Sequence, residues 1–165
     1  MDATDSKLLA LLSRDGRAQW ADLAQQLRMS APAVRERVKR LEKEGLITGY
    51  TALLSPARLG LALTAFVAVT LERPRHRAAF LKRAADLAAV LECHHVAGED
   101  DYLLKLRCRS TDELERLVSV EIKGLVGVAR TRTTIVLSTA KETPVPPLPA
   151  AAARPARARR KSPGS

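Results

Sequence analysis

The densest run of chemically capable side chains in this sequence is Val34-Arg35-Glu36-Arg37-Val38-Lys39-Arg40-Leu41-Glu42-Lys43. Wound at 3.6 residues per turn, Val34, Val38 and Leu41 fall on one apolar stripe. Pro32, Glu36, Lys39, Arg40 and Lys43 then come to the opposite side, which is outward and mostly basic. Lys39, Arg40 and Lys43 on such a face can neutralise backbone phosphates or reach guanine edges, and Glu36 is best placed there if it accepts from a cytosine amino group. Arg35 and Arg37 flank the face, at positions suited to backbone phosphates. Ser30 supplies a cap and Pro32 a residue compatible with the first turn, so both fix where the helix begins. The candidate DNA contacts are therefore Ser30, Pro32, Arg35, Glu36, Arg37, Lys39, Arg40 and Lys43. Taken alone, the same helix reads more readily as a solvated charged face, with ordinary surface pairing at the Glu36–Arg40 and Lys39–Lys43 spacings. Its neighbours in sequence decide against that.

Other reactive residues suggest less. His94 and His95 are adjacent in an extended stretch, so they point to opposite faces and cannot share one ion comfortably. Cys93 and Cys108 lack the CxxC spacing of zinc and redox sites and read as ordinary buried thiols, with a disulfide not expected inside a cell. No metal, cofactor or catalytic role is expected. The formal charge of +10 favours phosphate or anionic lipid as a partner. About half of it lies from Lys141 onward, where Lys141, Arg154, Arg157, Arg159, Arg160 and Lys161 face Glu142 alone. No run reaches the roughly 18 apolar residues of a membrane span, and the acidic start Met1-Asp2-Ala3-Thr4-Asp5 is unlike a secretory leader. The chain is expected in the cytoplasm, associated with the nucleoid.

The elements that must position the basic face are legible upstream. Leu8, Leu9, Leu11 and Leu12 follow Thr4-Asp5, a capping pair, and the run stops at Asp15-Gly16. Trp20, Leu23, Ala24 and Leu27 give a short second helix ending near Arg28, with Trp20 expected to pack. A turn of three or four residues leads to the third helix, which is the arrangement of a helix-turn-helix. Leu46-Ile47 and Tyr50–Leu54 around Thr48-Gly49 have the composition of a small wing hairpin. Ser55-Pro56 and Gly60 then break the pattern. Beyond them, Thr64–Leu71, Val90–Val96, Tyr102–Cys108 and Val128–Leu137 read as strands. Phe80/Ala84/Leu87 and Leu114/Leu117/Val118/Ile122 read as helices, the second opened by a Ser110–Glu113 capping box. The order βαββαβ predicts a ferredoxin-like sandwich, making an α+β chain. The expected domains are a winged helix-turn-helix at 1–54, a linker at 55–62, a βαββαβ effector and oligomerisation domain at 63–140, and a disordered basic tail at 141–165.

Several of these stretches together resemble the Lrp/AsnC family of transcription regulators, and its leucine-responsive branch in particular. They are Asp5 with Lys7-Leu8-Leu9, Asp15-Gly16-Arg17, Arg37–Glu42 with Gly45 and Ile47, and Gly49–Leu54. Further on come Glu92-Cys93-His94, Gly98, Asp101–Lys105 and Gly127-Val128 with Thr131-Arg132-Thr133. The likeness runs from about Met1 to Thr139. It implies a DNA-binding regulator whose C-terminal domains pair through their sheets, with dimers often building octamers. It also implies an amino-acid effector held between neighbouring C-terminal domains. The residues it points to are His95, Gly98, Glu99, Asp100, Asp101, Thr131, Thr133 and Thr134. Two departures stand out: Asp100, where relatives carry an apolar, aromatic or small residue, and Val126, where they carry proline. A second carboxylate beside Asp101 would make the turn more acidic and suit a cationic amino acid, although a plain polar turn residue explains it more simply. Two other readings share the same plan. A siroheme decarboxylase needs a tetrapyrrole cleft that a chain with 3% aromatic residues hardly supplies; a nucleoid protein would coat DNA without sequence preference.

Overall fold

Asp2, not Thr4, starts the first helix. In the structure, a computed structural model that describes residues 1–148, α1 spans Ala3–Arg14. The Asp5 amide donates to Asp2 Oδ1 (2.7 Å) and the Asp2 amide donates back to Asp5 Oδ2 (2.8 Å). This reciprocal box moves the expected cap two residues upstream, because the Asp5 carboxylate is needed as the inner member of the box. The same carboxylate, 1% exposed, accepts from Arg37 (2.6 Å) and Arg40 (2.7 Å) of the third helix.

The second helix, α2, runs Trp20–Leu27 and ends on Arg28, which adopts the left-handed conformation (φ 56°) and sends the Met29 amide back to the Ala24 carbonyl. The third, α3, runs Ala31–Lys43 with Ser30 Oγ accepting the Ala33 amide and Pro32 in its first turn. Leu8, Leu23, Ala24, Val34, Val38 and Leu41 form one buried cluster where the three helices meet. Trp20 is more open than expected: it is 36% exposed, and the Arg35 guanidinium sits 5.7 Å from its ring centroid. As the first residue of α2 it lies at the rim of the cluster, where a cation can stack on its face.

The expected wing is not a hairpin. No strand forms between α3 and residue 63. Gly45 (φ 72°) turns the chain out of α3, and the Leu46 and Ile47 amides both close on the Leu41 carbonyl. Those donors are spent capping a helix, so no ladder can start from them. Tyr50 instead ties this loop to α3 through its hydroxyl, which donates to Glu42 (3.0 Å).

The second unit is a four-stranded antiparallel sheet in the order β2-β3-β1-β4, with β1 Leu63–Leu71, β2 Val90–His95, β3 Tyr102–Cys108 and β4 Val128–Ile135. Helix α4 (Arg77–Asp86) links β1 to β2, and α5 (Thr111–Arg116) continues as a π-turn, Leu117–Ile122, before β4. This is the expected βαββαβ order. The strand pattern has period 2. Ala65, Val67 and Val69 of β1 and Tyr102, Leu104, Leu106 and Cys108 of β3 face the helices and are buried with Phe80, Ala84, Leu114, Leu117 and Ile122. The register places Thr131, Thr133 and Ile135 on that same side. Thr64, Phe66, Ala68, Leu103, Lys105, Arg130 and Arg132 line the opposite face, away from α4 and α5. Ser110 Oγ caps α5 by accepting the Glu113 amide, but the Glu113 carboxylate turns to the backbone and guanidinium of Arg109. Val126 is 84% exposed in the turn before β4.

Cys108 is buried and Cys93 is exposed, both free. The expectation of two buried thiols fails for Cys93 because β2 is an edge strand. Cys93 opposes Leu104, four residues from Cys108, which puts the thiols beyond disulfide reach. Contacts divide the chain into Met1–Ala52 together with the chain from Thr143, and Leu53–Glu142. The tail expected to be disordered lies, from residue 149 on, outside the described residues. No helix among the described residues is long and apolar enough to cross a membrane.

The Asp5 network makes a prediction about pH. Burial would raise its pKa, but the Asp2 amide and the Arg40 and Arg37 guanidiniums outweigh that and hold it at about 2 against an ordinary 3.8. A depressed carboxylate stabilises the fold in full above its unfolded pKa, and that contribution is lost as pH falls from about 4 through about 2. Asp5→Asn should cost about 2 kcal/mol at pH 7 and should flatten the stability profile between pH 4 and pH 2. Urea unfolding followed by the fluorescence of Trp20, the only tryptophan, measures both. Identical acid profiles for the two proteins would show that the carboxylate has no such role.

Candidate nucleic-acid interface and effector site

The polar side of α3 divides into two sets. Arg37 and Arg40 reach back to α1, Arg37 bonding Asp2 (2.8 Å) as well as Asp5, and Arg40 also reaching Glu44 (3.5 Å). Their guanidinium pKa values rise in consequence, Arg37 chiefly through its bond to Asp2 and Arg40 through its bond to Asp5. Arg40 is therefore not a free outward cation; part of it is committed to the inter-helix anchor. Lys39, Lys43, Glu36 and Arg35 form the second set. All are exposed, Lys39 and Glu36 form a 3.0 Å pair in the i, i+3 relation, and Lys43 makes no ion pair among the described residues. Pro32 and Ser30 are exposed at the N-terminal end of the same helix. A cationic stripe thus stands on a helix whose roll is fixed by two arginines on one buried carboxylate. Sequence reasoning missed Asp5 as the organiser, since its partners lie 32 and 35 residues away and no period links them.

The residues suggested for a small ligand fall in separate places. His95, at the end of β2, and Asp101 line a small cavity of about 190 Å³ with Leu71, Arg73, Arg77 and Tyr102. The His95 and Tyr102 rings are 5.2 Å apart. Tyr102 is 2% exposed and its hydroxyl has no hydrogen-bond partner among the described residues. A buried hydroxyl without a partner is costly, which makes this a polar group left unsatisfied in a residue that lines the cavity. Asp101 Oδ2 accepts the Leu71 amide (2.7 Å), and its own amide donates to the Val69 carbonyl, so this residue also pins the turn to the end of β1. Arg73, Arg77 and Tyr102 were not singled out beforehand. Nothing in the spacing of the arginines betrays them, because it is the turn at Pro74 that brings them beside His95.

Gly98 and Glu99 are exposed in the β2–β3 turn, and Gly98 takes φ 146°, a conformation that side chains rarely adopt. Asp100 does not project from that turn. It is buried, accepting from the Thr70 hydroxyl (3.0 Å), Arg132 (2.6 Å) and Arg130 (3.3 Å). Burial would raise its pKa, and the Thr70 hydroxyl and the two guanidiniums reverse that and hold it below the usual carboxylate range. The idea of a more acidic turn suited to a cationic ligand is thereby corrected: two arginines already neutralise this carboxylate. Thr131 and Thr133 lie on the helix side of β4, and Thr134 lies on the other side opposite Phe66. With β2 and β4 at opposite edges, three strand spacings or about 14 Å separate His95 from the threonines. One chain cannot bring both groups onto one small molecule.

Comparison with known proteins adds independent findings. The family model described as Lrp/AsnC ligand binding domain matches residues 64–146, and that described as AsnC-type helix-turn-helix domain matches residues 1–42. The leucine-responsive regulatory protein of Haemophilus influenzae is 40% identical over 145 residues, covering 87% of each chain. A transcriptional regulator of Neisseria meningitidis solved as an L-Met complex superposes with TM-score 0.87 at 31% identity, over 90% of this chain and 97% of that one. The feast or famine regulatory protein of M. tuberculosis, complexed with L-methionine, gives TM-score 0.82 at 37% identity, over 90% and 99% of the two chains.

Proposed function

The chain belongs to the Lrp/AsnC family of transcription regulators, and from that membership we propose how it reads DNA and senses its effector. Helix α3 enters the major groove, with Lys39, Lys43 and Arg35 on phosphates or guanine edges and Glu36 facing a base amino group. Ser30 and Pro32 bring the N-terminal end of α3 close to the backbone. Arg37 and Arg40 set the roll of the helix and add what remains of their charge to phosphates. The observation that carries this reading is the division of the α3 cations into an anchored pair and an exposed set. The protein acts by binding, without catalysis, in the cytoplasm. Two or more copies pair through the sheet face that points away from α4 and α5, and place their α3 helices about one helical turn of DNA apart.

Lys39→Ala/Lys43→Ala separates recognition from folding, because neither lysine touches Asp5. On a duplex from the protein's own promoter, measured by fluorescence anisotropy across a salt series, the double variant should bind at least tenfold more weakly near physiological salt. Its slope of log K against log salt should be shallower by about 2. Unchanged affinity and slope would remove α3 from the DNA interface.

The effector is an amino acid, held between copies so that His95, Asp101 and the Gly98–Glu99 turn of one chain meet Thr131 and Thr133 of another, with Thr134 turned to the other face of β4. The L-methionine complexes of the two solved relatives support the class. The His95–Tyr102 cavity offers a carboxylate the Arg73 and Arg77 guanidiniums and offers an ammonium the Asp101 carboxylate. Asp100 stabilises the turn through Arg130 and Arg132 and does not contact the ligand. In a thermal-shift series of the twenty amino acids, at least one should raise Tm by several degrees when present at about a hundred times its Kd, equivalent to about 2.7 kcal/mol. His95→Ala and Thr133→Val should each abolish that shift. A flat response to all twenty at millimolar concentration would overturn the effector class.

A further inference from the structure

Three arginines stand on α3, and they differ in what occupies the edge of the guanidinium. Arg37 spends its N–H groups on Asp2 and Asp5, and Arg40 spends its own on Asp5 and Glu44. Arg35 is exposed and makes no ion pair or side-chain hydrogen bond among the described residues. The contact it does make is with Trp20, the first residue of α2, whose ring centroid lies 5.7 Å from Arg35 Cζ. A ring attracts a cation through its face, whereas the five N–H donors of a guanidinium lie in its plane. Stacking therefore holds Arg35 without using a donor.

The place of this pair on the helix gives it a use. Lys39 and Lys43 follow Arg35 at i+4 and i+8, so the three exposed cations form one row along α3, about 12 Å long at roughly 1.5 Å per residue. Trp20 stands at the N-terminal end of that row, the end that a recognition helix directs at the duplex. The lysines are point charges, whereas the planar fork of Arg35 matches two oxygens of one phosphate. One residue on from buried Val34, Arg35 leaves the flank of α3, and a helix lying in a groove turns its flank to the groove wall, where the phosphates run. A surface arginine also loses rotamer freedom when it docks, and one already stacked loses less. We propose that Trp20 is a positioning residue for DNA binding: its ring is a shelf that holds the Arg35 guanidinium, edge free, for a phosphate at the wall of the groove that α3 enters. The inference rests on the assignment of α3 to DNA.

The test is a double-mutant cycle in the full chain, read by fluorescence anisotropy on the labelled promoter duplex and on an unrelated duplex of equal length, across a salt series. Arg35→Ala should weaken binding to both duplexes about tenfold and make the slope of log K against log salt shallower by about 0.9, the share of one phosphate. Trp20→Leu keeps the charge, so the slope should stay as in the parent while affinity falls about three- to fivefold. Trp20→Phe keeps a ring under the guanidinium and should bind within about twofold of the parent. In the Arg35→Ala background Trp20→Leu should make no further difference, whereas a ring that merely supported the fold would lower affinity there as well. Circular dichroism melting checks that every variant is folded at the assay temperature. Equal losses from Trp20→Leu in the two backgrounds would overturn the proposal, as would parental affinity in either single variant, Trp20→Leu or Arg35→Ala. A loss from Arg35→Ala confined to the promoter duplex would put the guanidinium on a base edge and overturn the phosphate contact. Lys39→Ala/Lys43→Ala separates the two levels. If it binds weakly while the Trp20 and Arg35 variants bind normally, the shelf fails and the α3 assignment stands; if it binds normally, the α3 assignment itself fails.

Discussion

The buried carboxylate of Asp5 joins the start of α1 to the middle of α3, and the rest of the N-terminal unit is arranged around that join. A charge taken out of water must be matched, and this one is matched by a backbone amide and two guanidiniums. The apolar cluster beneath it fixes only that α3 packs. Hydrophobic contact is non-directional, so a helix held by Val34, Val38 and Leu41 alone could roll by some degrees at little cost. Directional bonds from Arg37 and Arg40, one helical turn apart, remove that freedom. The orientation of Lys39 and Lys43 towards solvent is then a consequence of where Asp5 sits.

The fold was largely legible in the sequence because periodicity reports burial. The helices and the central strands of the βαββαβ unit follow a stripe or an alternation that one face of packing demands, and β3 appears over the residues its alternation marks. The failures share a cause. The composition of residues 46–54 suits a hairpin, yet whether a ladder forms depends on free backbone donors, and the end of α3 had already claimed those of Leu46 and Ile47. Cys93 was read as an ordinary buried thiol because it lacks metal or redox spacing, whereas its exposure depends on which strand stands at the edge.

The candidate site was less legible than the fold. The α3 stripe could be read directly, but the division of its cations could not, since Asp5 reads locally as a helix cap. Asp100 and Asp101 are neighbours in sequence with different surroundings: one turns inward under two arginines, the other fastens the turn to β1 and borders a cavity. A sequence gives two carboxylates side by side and no sign of which is neutralised. Tyr102 shows the opposite case, since its alternation predicts burial correctly while its unsatisfied hydroxyl becomes visible only in three dimensions.

The separation of His95 from Thr131 and Thr133 by the width of the sheet has a genetic corollary. If each sensing pocket borrows one half from each of two chains, a lesion on the β2 edge and a lesion on the β4 edge damage different halves. Co-expressed in one cell, two such defective alleles would regenerate some intact pockets wherever the undamaged edges meet. Two alleles altered on the same edge would regenerate none. On the proposed between-copies pocket, sensing would belong to the junction between molecules, and its inheritance would show intragenic complementation.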